Sequence, residues 1–177
     1  MRVVAGLYGG RKLAAPAGSE TRPTSDRVRE ALFSVLGPSI QGARVLDLFA
    51  GSGALGIESL SRGAAQAVFV DRSHKAAHVI RANLKALGIA AEVRPIEAGA
   101  ALRAASGRGE AYDLVFLDPP YRRAAGLGRE LSEALTAVLA PGARVITESD
   151  RRAPLELDLP LADERRYGDT VIRIHES

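Results

Sequence analysis

The sequence predicts an α/β fold: a doubly wound, mostly parallel sheet with an antiparallel edge and a small N-terminal hairpin-and-helix extension. Three observations carry this. From residue 43 onward, short apolar runs alternate with segments of helical period. A glycine-rich turn separates the first such run from the first such helix. The last segments, beyond residue 154, are strand-like with no helix between them. A chain of 177 residues suits one domain with a small appendage. The expected division is a basic arm and helix over 1–38 and the main α/β domain over 39–177.

The elements follow in order. Residues 1–16 are punctuated by glycine and read as a hairpin-like arm, and 17–24 as loop. SDRVREALFSVLG places Val28, Ala31, Leu32, Val35 and Leu36 on one helical face. Thr24, Ser25 or Asp26 can cap that helix, and Gly37-Pro38 ends it. ARVLDLF is a strand, ALGIESLSRG a helix and AQAVFVD a strand. SHKAAHVIRANLKALG is a helix capped by Ser73 and stopped at Gly88, followed by the strand AEVRPI and the short helix EAGAALRAA. YDLVFLDPPY is a buried strand ending in prolines. Leu127, Leu131, Leu135 and Leu139 mark a helix over about 124–139, which APG breaks before the strand ARVITES. In the tail, LELDLPL, RRYGDT and VIRIHES read as strands around a turn at Gly168-Asp169.

Composition narrows the class. Hydrophobic content of 46% and charged content of 25% are ordinary for a soluble globular protein. No apolar run approaches the roughly 20 residues that span a bilayer, so no membrane partner is expected. The start, MRVVAGLYGGRK, lacks the apolar stretch of a secretory signal, which makes the cytoplasm the expected compartment. There is no cysteine, hence no disulfide and no thiolate metal site. His74 and His78 share a helix face, but no third ligand is evident and no metal is expected. The net charge of +3 is unevenly placed: residues 1–30 hold six basic and three acidic side chains, and the remaining 147 residues hold eighteen of each. That excess reads either as a landing strip for phosphates or as an ordinary solvated surface.

DLFAGSGALG, residues 47–56, sits at the first strand–helix turn. Gly51, Gly53 and Gly56 spell G-x-G-x-x-G, and Asp71 follows Gly51 by twenty positions. That layout suits a dinucleotide. Asp47 opposes this reading, because a carboxylate just ahead of the glycines would repel a pyrophosphate. S-adenosylmethionine (AdoMet) carries no phosphate and presents a cationic sulfonium and a protonated amine, so charge favours it over a nicotinamide cofactor. Asp71 can accept from ribose hydroxyls of either. Glu97, after the third strand, stands where it could reach an adenine amine or serve as a helix N-terminal carboxylate.

Asp118-Pro119-Pro120-Tyr121 ends the central apolar strand. Prolines stop strands routinely, but that does not account for an aspartate and an aromatic in this order beside a cofactor loop. An exocyclic amine on a nucleobase is a poor nucleophile, because its lone pair is delocalised into the ring. The Asp118 carboxylate and the Pro119 carbonyl can accept its N–H bonds and favour the pyramidal nitrogen. Prolines fix the direction of that carbonyl. Tyr121 can stack on a flipped base, a contact worth roughly 1–3 kcal/mol.

With these motifs in view, the chain resembles the bacterial RsmD family of small-subunit ribosomal RNA guanine-N2 methyltransferases. The resemblance runs over nearly the whole length: VVAGLYGGRKLAAP, RPTSDRVREALFSVL (22–36), DLFAGSGALGIESLSRGA (47–64), VFVDR (68–72), FLDPPYR (116–122) and YGDT (167–170). The most specific part is RPT-x-DRVRE-x-LF. The resemblance implies a class I, Rossmann-like AdoMet-dependent methyltransferase fold with a seven-stranded sheet, acting on one guanine of 16S rRNA; a monomer is expected, and the electrophilic methyl group of AdoMet makes a metal unnecessary. It also implies a substrate that is a small subunit, or an assembly intermediate with its ribosomal proteins. By matching positions, Asp47, Phe49, Gly51, Ser52, Gly53, Asp71, Arg72, Glu97, Ala98 and Asp118 are expected at the cofactor. Asp118, Pro119, Pro120 and Tyr121 are expected at the target base. Arg11, Lys12, Arg22, Thr24, Arg27 and Arg122 are expected at the RNA. Glu97 departs from the Asp or Asn common after strand three in such enzymes. The alternative within the same chemistry is an N-methyltransferase for adenine in DNA or RNA, or for a protein amide.

Overall fold

Seven strands make one sheet in the computed structural model, which describes residues 1–16, 25–119 and 124–177. They are β1 (Arg44–Leu48), β2 (Gln66–Val70), β3 (Glu92–Arg94), β4 (Tyr112–Leu117), β5 (Leu139–Asp150), β6 (Leu161–Tyr167) and β7 (Thr170–Glu176). The helices are α1 (Asp26–Leu36), α2 (Ala54–Ser61), α3 (His74–Leu87), α4 (Ala98–Gly107) and α5 (Ala124–Thr136). The strand order is β3-β2-β1-β4-β5-β7-β6. β1 to β5 pair in parallel, and β7 runs antiparallel between β5 and β6. Strand order reverses between β1 and β4, and the crevice beyond their carboxyl ends is where such sheets bind ligands. The doubly wound sheet with an antiparallel edge is as the alternation predicts.

The parallel strands read as unbroken apolar runs because both faces are covered. On one face Val45, Phe69, Leu114, Phe116 and Ile146 pack with Leu32, Phe33 and Leu36 of α1, with Ile80 and Leu84 of α3, and with Val3 and Leu13 of the arm. On the other, Leu46, Leu48, Val68, Val70, Val115 and Leu117 meet Ala101 and Leu102 of α4 and Leu131 and Leu135 of α5. Each fully buried side chain of this kind contributes about 1.5–3 kcal/mol. The arm is a two-sided turn: Val3 and Arg11 are backbone-paired, as are Leu13 and Met1, around the Arg2–Lys12 bridge.

Ser25 caps α1, its hydroxyl accepting from the Val28 amide, and Ser73 caps α3 in the same way. The buried face of α1 is rotated from the predicted one. Arg29, Leu32, Phe33 and Leu36 are buried, while Val28, Ala31 and Val35 are only partly so. Arg29 is 1% exposed, with Nη2 bonded to the Arg2 carbonyl and to Asp26. A pattern that assigns every arginine to solvent misplaces this face by one step.

Two further departures lie near the C-terminus. Pro141-Gly142 does not separate a helix from a strand. β5 begins at Leu139 opposite Tyr112, bulges outward, and resumes register at Arg144 opposite Leu114. Gly142 supplies the positive φ, 72°, that the bulge needs. LELDLP forms no strand; β6 starts at Leu161. Side chains take its backbone donors instead: Leu155 N bonds to Ser149 Oγ at 3.1 Å and Asp158 N to Ser132 Oγ at 2.9 Å. The turn at Gly168-Asp169 closes the β6–β7 hairpin between paired Tyr167 and Thr170.

Candidate active site

The first strand delivers Asp47 into the interior, 1% exposed, one residue before β1 ends. Its Oδ2 accepts from the Gly56 amide at 3.0 Å. That amide is one of the unsatisfied donors of the first turn of α2, so a carboxylate from the neighbouring strand does the capping. The geometry costs Asp47 its hydration. Burial, partly offset by the Gly56 bond and reinforced by Asp71, pushes its carboxyl from 3.8 up to about 7.

After β1 the chain turns through Phe49, whose φ of 64° is left-handed. For a non-glycine residue this conformation costs roughly 1–2 kcal/mol. Gly51 is also left-handed, with φ 57°. Its amide donates to Asp71 Oδ2 at 2.9 Å, while Ser73 N donates to Oδ1 at 2.8 Å. Asp71 thus clamps the glycine loop to the start of α3, and remaining lone pairs on its carboxylate can accept from a ligand. The third glycine is there for packing: a Cβ on Gly56 would lie 2.3 Å from the Phe69 ring. Ser52 is buried, and its carbonyl accepts from Asn83 Nδ2 at 2.9 Å. Asn83 also exchanges two hydrogen bonds with the backbone of Ala14, so one amide ties the arm to the loop.

Beside the loop lies a cavity of about 330 Å³ lined by Phe49, Glu97, Ala98, Gly99, Arg103, Leu127 and Leu131 among others. Glu97 precedes α4 and makes no side-chain cap; it pairs with Arg72 at 3.3 Å. Phe49, Ala98 and the two leucines give this cavity an apolar wall suited to a flat ring. Asp118 follows β4, with Pro119 buried behind it. Burial, then the charges of Glu148 and Asp47, hold the Asp118 carboxyl well above its ordinary value. Two carboxyl groups whose ionisation is opposed by burial and favoured by a nearby positive charge suit a cationic ligand and disfavour a phosphate.

The structure therefore brings Asp47, Phe49, Gly51, Ser52, Gly53, Asp71, Arg72, Glu97, Ala98, Asp118 and Pro119 to one end of the sheet. Arg11, Lys12 and Arg27 are exposed on the arm and on α1. Pro120, Tyr121, Arg122, Arg22 and Thr24 lie outside the described residues. Among the described residues no cluster of His, Asp and Glu could hold a metal, and no helix is long and apolar enough to cross a membrane.

The family profile described as conserved hypothetical protein 95 matches residues 1–176. The chain is 41% identical to ribosomal RNA small subunit methyltransferase D of Escherichia coli K12, over 99% of this chain and 89% of that one. It belongs to the RsmD family. A solved structure of a hypothetical protein from Thermus thermophilus superposes with a TM-score of 0.85 at 30% identity, covering 100% of this chain and 99% of that one. A more distant likeness, at 22% identity, is the 16S rRNA N2 G1207 methyltransferase of Thermus thermophilus in complex with AdoMet and guanosine. It has a TM-score of 0.68 and covers 92% of this chain and 45% of that one, and at this distance it shares the fold. The RsmD-family chain thus has the class I AdoMet-dependent methyltransferase fold.

Sequence reasoning missed several participants. Leu127, Leu131 and Arg103 line the cavity, and the first two read only as helix core. Glu148 stands beside Asp118 and was absorbed into the strand ARVITES; an acidic residue near the end of an otherwise apolar strand was the available signal. Glu58, wholly buried in α2, accepts from Val4 N at 2.7 Å and Ala5 N at 3.0 Å and anchors the arm. Among the described residues the Nε and Nη1 atoms of buried Arg29 lack partners.

Proposed function

We propose that this protein transfers a methyl group from AdoMet to the N2 amine of a guanine in small-subunit ribosomal RNA, acting on an assembled or partly assembled particle. The observation that carries the reading is the placing of Asp118, followed by a buried proline, beside Asp47 and the glycine loop at the carboxyl end of the sheet. Family membership supports it, since the Escherichia coli relative is named for methylating small-subunit rRNA. The residues fit AdoMet: Asp47 and Asp118 face its positive charge, Asp71 the ribose, and Phe49, Glu97 and Ala98 the adenine. When bound, AdoMet supplies an electrophilic methyl group. The chain's own task is then alignment and proton removal, which needs no metal.

Asp118 and the Pro119 carbonyl accept the amine N–H bonds, which holds the nitrogen lone pair toward the methyl group. Tyr121 stacks on the extruded base, and a base already unpaired lowers the cost of extrusion. The exposed Arg11, Lys12 and Arg27, with Arg22, Thr24 and Arg122, supply phosphate contacts. Ribosomal proteins already on the particle help shape the substrate.

The test is methyl transfer from labelled AdoMet to small subunits lacking the modification, to naked 16S rRNA and to DNA, followed by nucleoside analysis. Label in N2-methylguanosine, on particles more than on naked RNA, is expected and is lost in Asp118→Ala. Label in methyladenosine, or on DNA, would replace the substrate. Equal labelling of naked RNA would remove the role of the particle.

A further inference from the structure

Three inward carboxylates line one face of the sheet at its carboxyl end. In the parallel pairing of β1, β4 and β5, Asp47 is level with Phe116, and Phe116 with Ile146. Leu117 pairs with Thr147, so Asp118 and Glu148, the next residues of each chain segment, stand side by side about 4.8 Å apart in backbone. Alternation puts Asp118 and Glu148 on the same face as Phe116 and Ile146, the face that α1 covers. Phe33 of α1 packs on Phe116, ring centroids 5.9 Å apart. Arg29 lies one helical turn before Phe33 on the same side of α1. It is buried, and Glu148 is among the carboxylates whose charge acts on it, with Asp26 and Glu58. Glu148, itself 6% exposed, therefore acts electrostatically on both the buried Arg29 guanidinium and Asp118.

We infer that Glu148 is a positioning residue for the transfer: standing beside Asp118 at the carboxyl ends of β5 and β4, it makes Asp118 the acceptor of the proton released by the methylated amine. This rests on the proposed reaction. Once the nitrogen has formed its bond to the methyl carbon and the carbon–sulfur bond of the sulfonium donor has broken, the nitrogen is cationic. One N–H bond then breaks, its electron pair stays on nitrogen, and the proton passes to an Asp118 oxygen. A carboxylate with a second carboxylate beside it binds that proton more tightly than one in isolation.

Among the described residues the charges that act on Asp118 are Glu148 of β5 and Asp47 of β1, with Asp71 acting on Asp47, while Glu148 also acts on Arg29 of α1 together with Asp26 and Glu58. The experiment is a side-chain carboxyl ¹³C NMR titration of the free protein, joined to single-turnover methyl transfer as a function of pH. In the unmodified protein the Asp118 and Glu148 signals are expected to follow shared, two-step curves. Glu148→Gln should move the Asp118 midpoint and the acid limb of the rate profile to lower pH, and slow the plateau rate about tenfold. Glu148→Asp should restore most of both.

Independent one-step curves in the unmodified protein would overturn the inference without any variant. An unmoved Asp118 midpoint in a folded Glu148→Gln protein would overturn it too, even if activity fell. A protein that methylates no planar amine would instead remove the proposed reaction, while the titration still reports the pairing.

Discussion

Replacing Asp47 with asparagine separates two things this residue does: capping α2 and carrying charge. In the free protein, burial lifts its carboxyl from 3.8 to about 7. The folded state therefore keeps a proton that the unfolded chain has released between about pH 4 and 7. Stability attached to this residue is full below that window and lost as pH rises through it. At 1.36 kcal/mol per pH unit, the loss amounts to about 4 kcal/mol by pH 8, of which about 3 kcal/mol falls between pH 5 and pH 8. Asparagine is the neutral shape at every pH and shows no such loss. Urea unfolding of both proteins at pH 5 and pH 8 should find the variant gaining about 3 kcal/mol relative to the parent between the two. A gap that stays constant would falsify the claim that Asp47 is a buried acid held protonated by the fold. The same logic predicts that AdoMet, being cationic, expels the proton. Calorimetry near pH 6.5 in buffers of different ionisation enthalpy should show proton release on binding, reduced in Asp47→Asn.

Other outcomes follow from the packing and from the arm. Gly56→Ala drives a methyl group into Phe69, which is wholly buried and has nowhere to go; it should cost about 1–3 kcal/mol in melting experiments, part of it recovered by adding Phe69→Leu. A melting temperature equal to the parent's would show that the loop shifts freely. Glu58→Gln leaves Arg62 without its carboxylate and weakens the two arm amides; a loss of about 3 kcal/mol and faster hydrogen exchange at Val4 and Ala5 are expected. Unchanged exchange there would mean that something else holds the arm. Arg11→Ala with Lys12→Ala should flatten the salt dependence of RNA binding by roughly 0.7–0.9 in log–log slope per lost phosphate contact. A slope equal to the parent's would take the arm out of the interface.

The strand–helix alternation was legible because parallel strands covered on both faces leave continuous apolar runs, and because Ser73 and Gly88 punctuate α3 where local rules expect them. The glycine loop was legible for its backbone demands, Gly51 most clearly. Three features were hidden, each for a physical reason. Arg29 faces inward because the Arg2 carbonyl and Asp26 reach it, and the arm's return to the sheet is not local information. Pro141-Gly142 reads as a terminator, yet an outward bulge accommodates both residues without ending the strand. Asp47 was read as a ligand for charge alone; that it also caps α2 depends on how a helix nine residues away returns over its own strand.

Asn83 gives the molecule a property that no single loop has. Its amide accepts from Ala14 N and donates to the carbonyls of Ala14 and Ser52, all within 3.0 Å. The basic arm and the glycine loop are therefore two ends of one lever with its fulcrum on α3. Whatever breaks the Asn83 amide contacts therefore releases the arm and the glycine loop together.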